Sequence, residues 1–431
     1  MIALAGSLVI DGTGALFGGK AGSSLGGTPA ASFLSGGTEP LGAGSDAAVL
    51  VDGDRVTRVV DSAELDALEK QGCEVLRFPG CTVMPGYVNC HCHLVMPGDG
   101  TSVEDAMEPT DSVILLRAAR NAEKALRSGV TTLADLGGRN DVTFILRHAI
   151  AEGIVPGPDL VVCGRPVTIT GGHCWVFGGQ ADTDAEIAKL CRMLLRDGAG
   201  LLKVMGTGGG TRGTNPLQPQ FTTEQLRLVA GEAHRRNRPA FVHCSTSEVA
   251  TMCLDAGIDT IVHGHFNTPQ GELRFSPEIA DRAAHAGVYW NPTLYVNRVI
   301  VERLAASASD AEGKARYTDR AAKYQAQAQN VRQLSEHGVN LVAGSDEGWG
   351  WNAFGGFANE LKAMVDAGIP AAKVIESATL KAARALRVDS TVGTFEPGKL
   401  ANAVVVRGNP LEDASAFGAV EAVFLKGRRV V

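Results

Sequence analysis

The sequence predicts an α/β fold: a (β/α)8 barrel over residues 81–389 and a small β-sandwich-like domain built from both chain ends, residues 1–80 and 390–431. Three observations carry this expectation. From residue 82 onward, short apolar runs alternate with amphipathic stretches of helical period, the pattern of parallel βα units. Eight such runs follow one another, the number that closes a barrel of this kind. On either side of them the chain reads as short strands and turns, which most simply share one small sheet.

Residues 1–14 and 47–78 have strand-and-turn character, as in SLVIDG and AVLVDGDRVTRVVD. Between them, residues 18–45 are rich in Gly, Ser, Ala and Pro and lack periodicity, as expected of a flexible insertion or surface loop. The eight runs are VMPGYVN (83–89), GVTTLADL (129–136), DLVVCGR (159–165), GLLKVMG (200–206), PAFVHC (239–244), DTIVHGH (259–265), GVYWNPTL (287–294) and NLVAGSD (340–346). Helical stretches lie between them, for example 184–198 and 222–237, the second opening on Thr222-Thr223-Glu224 as a capping signal. More helix follows over 356–387, and the tail returns to strand in ANAVVVRGNP and AVEAVFLKGRRVV.

Composition narrows the function classes. The 431 residues are 45% hydrophobic and 20% charged, ordinary for a soluble globular protein. A net charge of −7 without a basic patch argues against nucleic acid as a partner. No apolar run approaches a membrane span, and the apolar N-terminus lacks a basic leader. Nine scattered cysteines without a CxxC pair fit a reducing cytoplasm. The expected partner is a small-molecule substrate, with a homo-oligomer as the expected assembly.

In a (β/α)8 barrel the working residues sit at the C-terminal ends of strands. Here those positions hold metal-ligand types. His91 and His93 follow the first run, spaced so that strand alternation points both imidazoles to one face. Lys203 lies in the fourth run, His243 ends the fifth, His263 the sixth and Asp346 the eighth. Each is weak alone, since a lone histidine is more often a satisfied core residue, but convergence of the six points to metal. Lys203 is flanked by Leu201, Leu202, Val204 and Met205. An ammonium buried there tends to lose its proton, and a neutral amine can take up CO2 to form a carbamate whose two oxygens bridge two cations.

With these residues the chain resembles the amidohydrolase superfamily. The resemblance spans VMPGYVNCHCH, Lys203, His243, His263, GSDEG (344–348) and GTFEPGKLA. ITGGH (169–173) and KVMGTGGG (203–210) bring it nearest to binuclear members of prolidase and imidazolonepropionase type. The resemblance implies His91, His93 and Asp346 on one divalent metal, His243 and His263 on the other, and zinc as the metal. Carboxylated Lys203 and a hydroxide would bridge the two. Asn89, Val262 and Asn402 stand where the family usually has Asp, Glu and Asp.

The implied reaction is hydrolysis of an amide-type C–N bond, with Asp346 as proton shuttle. His173 is a candidate to hydrogen-bond substrate or oxyanion, or else a loop-structuring residue. His265, Arg212 and Tyr295 are further candidates for substrate contacts, Arg212 against its reading as an exposed loop arginine. Trp175, Trp349 and Trp351 cluster after the third and eighth runs, whereas Trp290 reads as barrel core. Rings at the mouth favour an amide, dipeptide, N-acyl amino acid or carbamate with a bulky apolar part. The alternatives are a cyclic amide or imidazolone hydrolase, a mononuclear deaminase of the same superfamily, and a non-catalytic barrel scaffold.

Overall fold

The computed structural model describes residues 1–12, 16–18 and 47–431. The insertion expected at 18–45 lies outside the described residues, apart from Gly18. The N-terminal strands are β1 (Ile2–Ile10), β2 (Leu16–Gly18), β3 (Ala47–Asp52), β4 (Arg55–Val60) and β5 (Glu74–Pro85). The middle of the chain contributes β6 (Tyr87–Cys92), β7 (Val130–Asp135), β8 (Asp159–Val162), β9 (Leu202–Met205), β10 (Ala240–Thr246), β11 (Thr260–Asn267), β12 (Tyr289–Asn291) and β13 (Asn340–Leu341). The tail adds β14 (Ala403–Arg407), β15 (Val420–Leu425) and β16 (Arg428–Arg429). The fold is mixed α/β.

Among the described residues, both chain ends enter one eight-stranded sheet in the order β16-β15-β14-β5-β1-β3-β4, with β2 on β1. In place of two stacked sheets there is one sheet curled around its long strand. Between Phe78 and Thr82 the chain of β5 takes four steps while β1 takes two, from Gly6 to Leu8. Pro79-Gly80 occupies that bulge, with Gly80 at φ +71°. The curl encloses Leu4, Val49, Phe78, Val405 and Phe424, and the rings of Phe78 and Phe424 meet edge-on at 6.1 Å. Residues 62–70, expected as strand, are a helix, Ser62–Lys70. The Asp61 carboxylate accepts from the Glu64 N–H at 2.9 Å as its N-cap, and Leu65 and Leu68 pack on the other face of the sheet.

The middle strands form two parallel sheets, β6-β7-β8 and β9 through β13, in sequence order. Backbone bonds tie them at both seams. On one side the Val167 N–H donates to Lys203 O at 2.8 Å and the Met205 N–H to Val167 O at 2.9 Å. On the other, the Cys90 N–H donates to Ala343 O at 3.0 Å, Asp346 N–H to His91 O at 2.8 Å and His93 N–H to Glu347 O at 2.9 Å. Helices Asp184–Arg196 and Thr223–His234 open on capping boxes, Thr183 with Glu186 and Thr222 with Gln225. The first turns inward Ile187, Leu190, Cys191 and Leu194, an apolar stripe at helical spacing.

One expected run divides. Val83–Pro85 completes β5 in the outer sheet, so the 80/81 boundary falls inside that strand, and β6 starts at Tyr87. Pro85 has no N–H to offer, and the Gly86 N–H leaves for Asn402 O at 2.9 Å. A Cβ on Gly86 would lie 2.3 Å from the Thr131 side chain, so only glycine lets the chain pass from one sheet to the other there. Among the described residues, no helix is long and apolar enough to cross a membrane.

Candidate metal centre

Alternation in β6 sends Cys90 and Cys92 to the apolar side, both wholly buried, and turns His91 and then His93 to the mouth. Asn291, at the end of β12, fixes the first ring. Its amide nitrogen donates to Val342 O at 3.2 Å and Gly344 O at 3.1 Å, so its Oδ1, 3.1 Å from His91 Nδ1, must accept. His93 Nδ1 donates to Gly137 O at 3.1 Å. Each ring therefore carries its proton on Nδ1 and a bare lone pair on Nε2. These two Nε2 atoms are 3.3 Å apart, and lie 3.3 and 3.5 Å from Asp346 Oδ1.

Asp346 is buried, and its Oδ1 has no hydrogen-bond partner among the described residues. Its backbone sits at φ +57°, and that of His263 at +65°, conformations costly for residues other than glycine. His243 Nε2 donates to Gly208 O at 3.1 Å, which leaves Nδ1 free. His263 Nδ1 is 2.6 Å from Thr293 Oγ1. The rings of His243 and His263 lie 4.6 Å apart, and His263 is 5.4 Å from His91. Lys203 is 1% exposed and its Nζ has no hydrogen-bond partner among the described residues.

Burial controls the charge states. It pushes His93 and His173 down to about 3 and His91, His243 and His263 well below the usual range, with the Lys203 charge adding to each shift. The imidazoles are thus neutral, the form that binds metal. Desolvation likewise pushes Lys203 down and Asp346 up, each opposed by the other's charge. Bare Nε2 pairs, an unpartnered carboxylate oxygen and neutral imidazoles fit divalent cations of the nitrogen- and oxygen-liking kind. The fit is best at His91, His93 and Asp346, whose ligand atoms all lie within 4.8 Å of one another.

Around this cluster, His173 Nδ1 is 2.8 Å from Thr211 Oγ1, its ring 4.6 Å from His243. A Cβ on Gly209 would lie 2.5 Å from His173 Nε2, so the glycine run of the fourth loop makes room for that ring. Trp349 stands 5.7 Å from His93 and 5.3 Å from His173, a wall of the mouth. Trp175 and Trp351 are partly exposed, at 39% and 42%, and the Arg303 guanidinium lies 3.6 Å over the Trp351 ring. Trp290 is fully buried and stacks on Phe266 at 5.2 Å. Arg212 is taken up by Asp105 at 2.9 Å and Ser102 at 3.0 Å, so it braces the first loop. Tyr295 gives its backbone N–H to Glu360 at 2.6 Å.

Sequence reasoning missed the residues that orient these rings: Asn291, Thr293 and Thr211. Their signal was weak but present, since Asn291 and Thr293 alternate in WNPT where a buried run turns polar. Asn89 also finds its role. It donates to Ser345 Oγ at 2.8 Å and Glu347 Oε2 at 3.2 Å, and accepts from the N–H groups of His91 and Ser345 at 3.1 Å. Asn402 Oδ1 accepts from the Lys426 N–H at 2.8 Å, which joins two strands of the tail.

Comparison with known proteins gives the family of the chain. The profile of the amidohydrolase family matches residues 82–430. Ochratoxinase of Aspergillus niger is 26% identical over 374 residues, covering 79% of this chain and 73% of that one. Imidazolonepropionase of Streptomyces avermitilis is 33% identical over 281 residues, 55% of this chain and 62% of the relative. Among solved structures, a Xaa-Pro dipeptidase with bound methionine in its active site superposes with a TM-score of 0.77 at 24% identity, covering 99% of each chain. The A. niger ochratoxinase structure gives 0.79 at 22% identity, over 99% of this chain and 95% of that one. These structures share the fold.

Proposed function

Because the chain belongs to the amidohydrolase family and is a metal-dependent hydrolase of amide-type C–N bonds, we propose that it works with two divalent cations, zinc by donor type, on substrates with a bulky apolar part. His91, His93 and Asp346 would hold one cation and His243 and His263 the other, with carboxylated Lys203 between them. The observation that carries this reading is the buried meeting of two bare Nε2 atoms with Asp346 Oδ1, and it is supported by a buried Lys203 Nζ without a hydrogen-bond partner among the described residues. The same reading takes the two parallel sheets as one closed eight-stranded barrel, given the backbone bonds at both seams. Nine free cysteines, eight of them buried, support a reducing, cytoplasmic setting.

Cations held by these residues would supply polarisation of the target carbonyl and a lowered pKa for water at the site. Asp346, through the oxygen of its carboxylate other than Oδ1, would take the proton released as the water attacks and return it to the leaving nitrogen, so that a neutral amine departs. His173, braced through Nδ1 by Thr211 with Nε2 over Gly209, would hold the carbonyl oxygen as it gains charge. Trp349 supplies an apolar wall that excludes water from the face it covers. The test is metal analysis together with a hydrolysis panel of dipeptides, N-acyl amino acids, aryl amides, carbamates and cyclic amides. Two cations per chain and turnover of acyclic amides are expected. Turnover of cyclic amides alone, or one cation with deaminase activity, would overturn the reading.

A further inference from the structure

Two residues beside the cluster have no part in the chemistry above. The His265 ring stands 5.5 Å from that of His263, and Glu347, next to Asp346, is wholly buried. Glu347 is the one whose contacts reach both sides of the seam. Its Oε1 accepts from the N–H groups of Gly355 and Gly356 at 2.9 and 2.8 Å, at the N-terminal end of helix Phe357–Asp366. Its Oε2 accepts from Ser345 Oγ at 3.1 Å and from Asn89 Nδ2 at 3.2 Å. All four contacts are donors, so the position calls for a carboxylate. Asn89 is oriented by its other atom: Oδ1 accepts from the N–H of His91 on β6 and from that of Ser345 across the seam, each at 3.1 Å. With Oδ1 so used, Nδ2 must point at Glu347 and at Ser345 Oγ, 2.8 Å away.

Of the ways to place amides and carboxylates at 89 and 347, only the mixed ones satisfy this set of atoms. A carboxylate at 347 with an amide at 89 leaves every donor facing an acceptor. So does the reverse, because the Ser345 hydroxyl accepts from one side, donates to the other and can turn around. Two amides would set N–H against N–H, at Asn89 or at the glycines. Two carboxylates would put bare oxygens 3.2 Å apart with one hydroxyl proton between them. We propose that Glu347 is a positioning residue of the metal centre, paired with Asn89 so that one carboxylate and one amide hold His91 and Asp346 at their spacing. The Asp346 backbone, at φ +57°, keeps that conformation because the pair grips Ser345 and Glu347 on either side of it. This rests on the metal reading above and adds to it the residues that set the first cation's ligands.

The test is a charge-swap cycle on the full chain: Asn89→Asp, Glu347→Gln and the double variant. Zinc affinity is measured against a competing chelator, and the unfolding temperature on the metal-free proteins. Each single variant should bind zinc about tenfold or more weakly and lose kcat by a similar factor. KM should stay unchanged, since neither residue touches substrate. The metal-free unfolding temperature of each should fall by several degrees. The double variant should regain that temperature and return zinc affinity and kcat to within about threefold of wild type. Losses in the double variant that equal or exceed those of the singles combined overturn the pairing. Wild-type zinc affinity and kcat in both singles, with only the unfolding temperature lowered, would make Glu347 structural and overturn the positioning role. Where Glu347→Gln does not fold, the double variant is read alone. Where neither folds, Ser345→Ala should lose zinc affinity about tenfold, and wild-type affinity there overturns the proposal. A wild type that takes up no zinc sinks the metal reading instead, and the metal-free unfolding cycle still decides the pairing.

Discussion

Replacing Lys203 with methionine separates a bridging lysine from a merely buried one by the sign of its effect. The side chain is 1% exposed and its Nζ has no hydrogen-bond partner among the described residues. Burying a polar group without a hydrogen bond costs about 1–3 kcal/mol in proteins, and a methionine of similar length removes that cost. Metal-free Lys203→Met should therefore unfold at a higher temperature than metal-free wild type. With metal the order reverses. Each cation present at about a hundredfold its dissociation constant adds about 2.7 kcal/mol to the native state, and the variant forfeits at least one such contribution. The measurement is thermal unfolding of both proteins after chelation and after reconstitution, with metal counted and turnover recorded. A variant that binds two cations and hydrolyses amides at near the wild-type rate would refute the bridging role. So would an unmodified ammonium at position 203 in active enzyme, read from the missing carbamate carbon signal with labelled bicarbonate.

Asp346→Asn should keep the fold and lower turnover by about 10²–10⁴; near-wild-type turnover with metal bound removes it as the proton carrier. Trp349→Ala should raise the Michaelis constant for bulky apolar substrates more than for small ones, and a uniform effect across sizes would mean the ring only supports structure. Glu360 is wholly buried, and burial raises its carboxyl from 4.5 to about 7 against the opposing N–H bonds of Tyr295 and Leu294. Its contribution to stability is thus fully present below about pH 4.5 and lost as pH rises through about 7. Denaturant titrations of Glu360→Gln should show that loss smaller by about 3 kcal/mol than in wild type, at 1.36 kcal/mol per unit; unchanged slopes would assign the pH dependence elsewhere.

Much of this arrangement was legible in the chain because strand ends announce themselves. Five of the polar residues read at the ends or edges of apolar runs, His91, His93, His243, His263 and Asp346, lie together in the described structure, and Lys203 is buried in its strand. Periodicity could not show that VMPGYVN serves two sheets, since only the cramped passage at Pro85-Gly86 separates them. Nor could it show that Ser62–Lys70 coils, because its Asp61 cap looks like any turn aspartate between strands. The least legible part was what holds the histidines. Asn291 acts on His91 across the ring and Thr293 on His263, contacts that exist only once β12 lies between β11 and β13.

The seam between β6 and residues 343–347 has a consequence for how such a chain can change over generations. It is laced by scattered backbone bonds, while His91 and His93 stand on its first side and Asp346 on its last. A cation shared by those three side chains would clasp the two parallel sheets together at this seam, closing a very long loop. Catalysis and the seam would then depend on the same three residues. A descendant that abandons the reaction by losing one of them also loosens its own architecture, and must rebuild the seam with new packing before it can drift further.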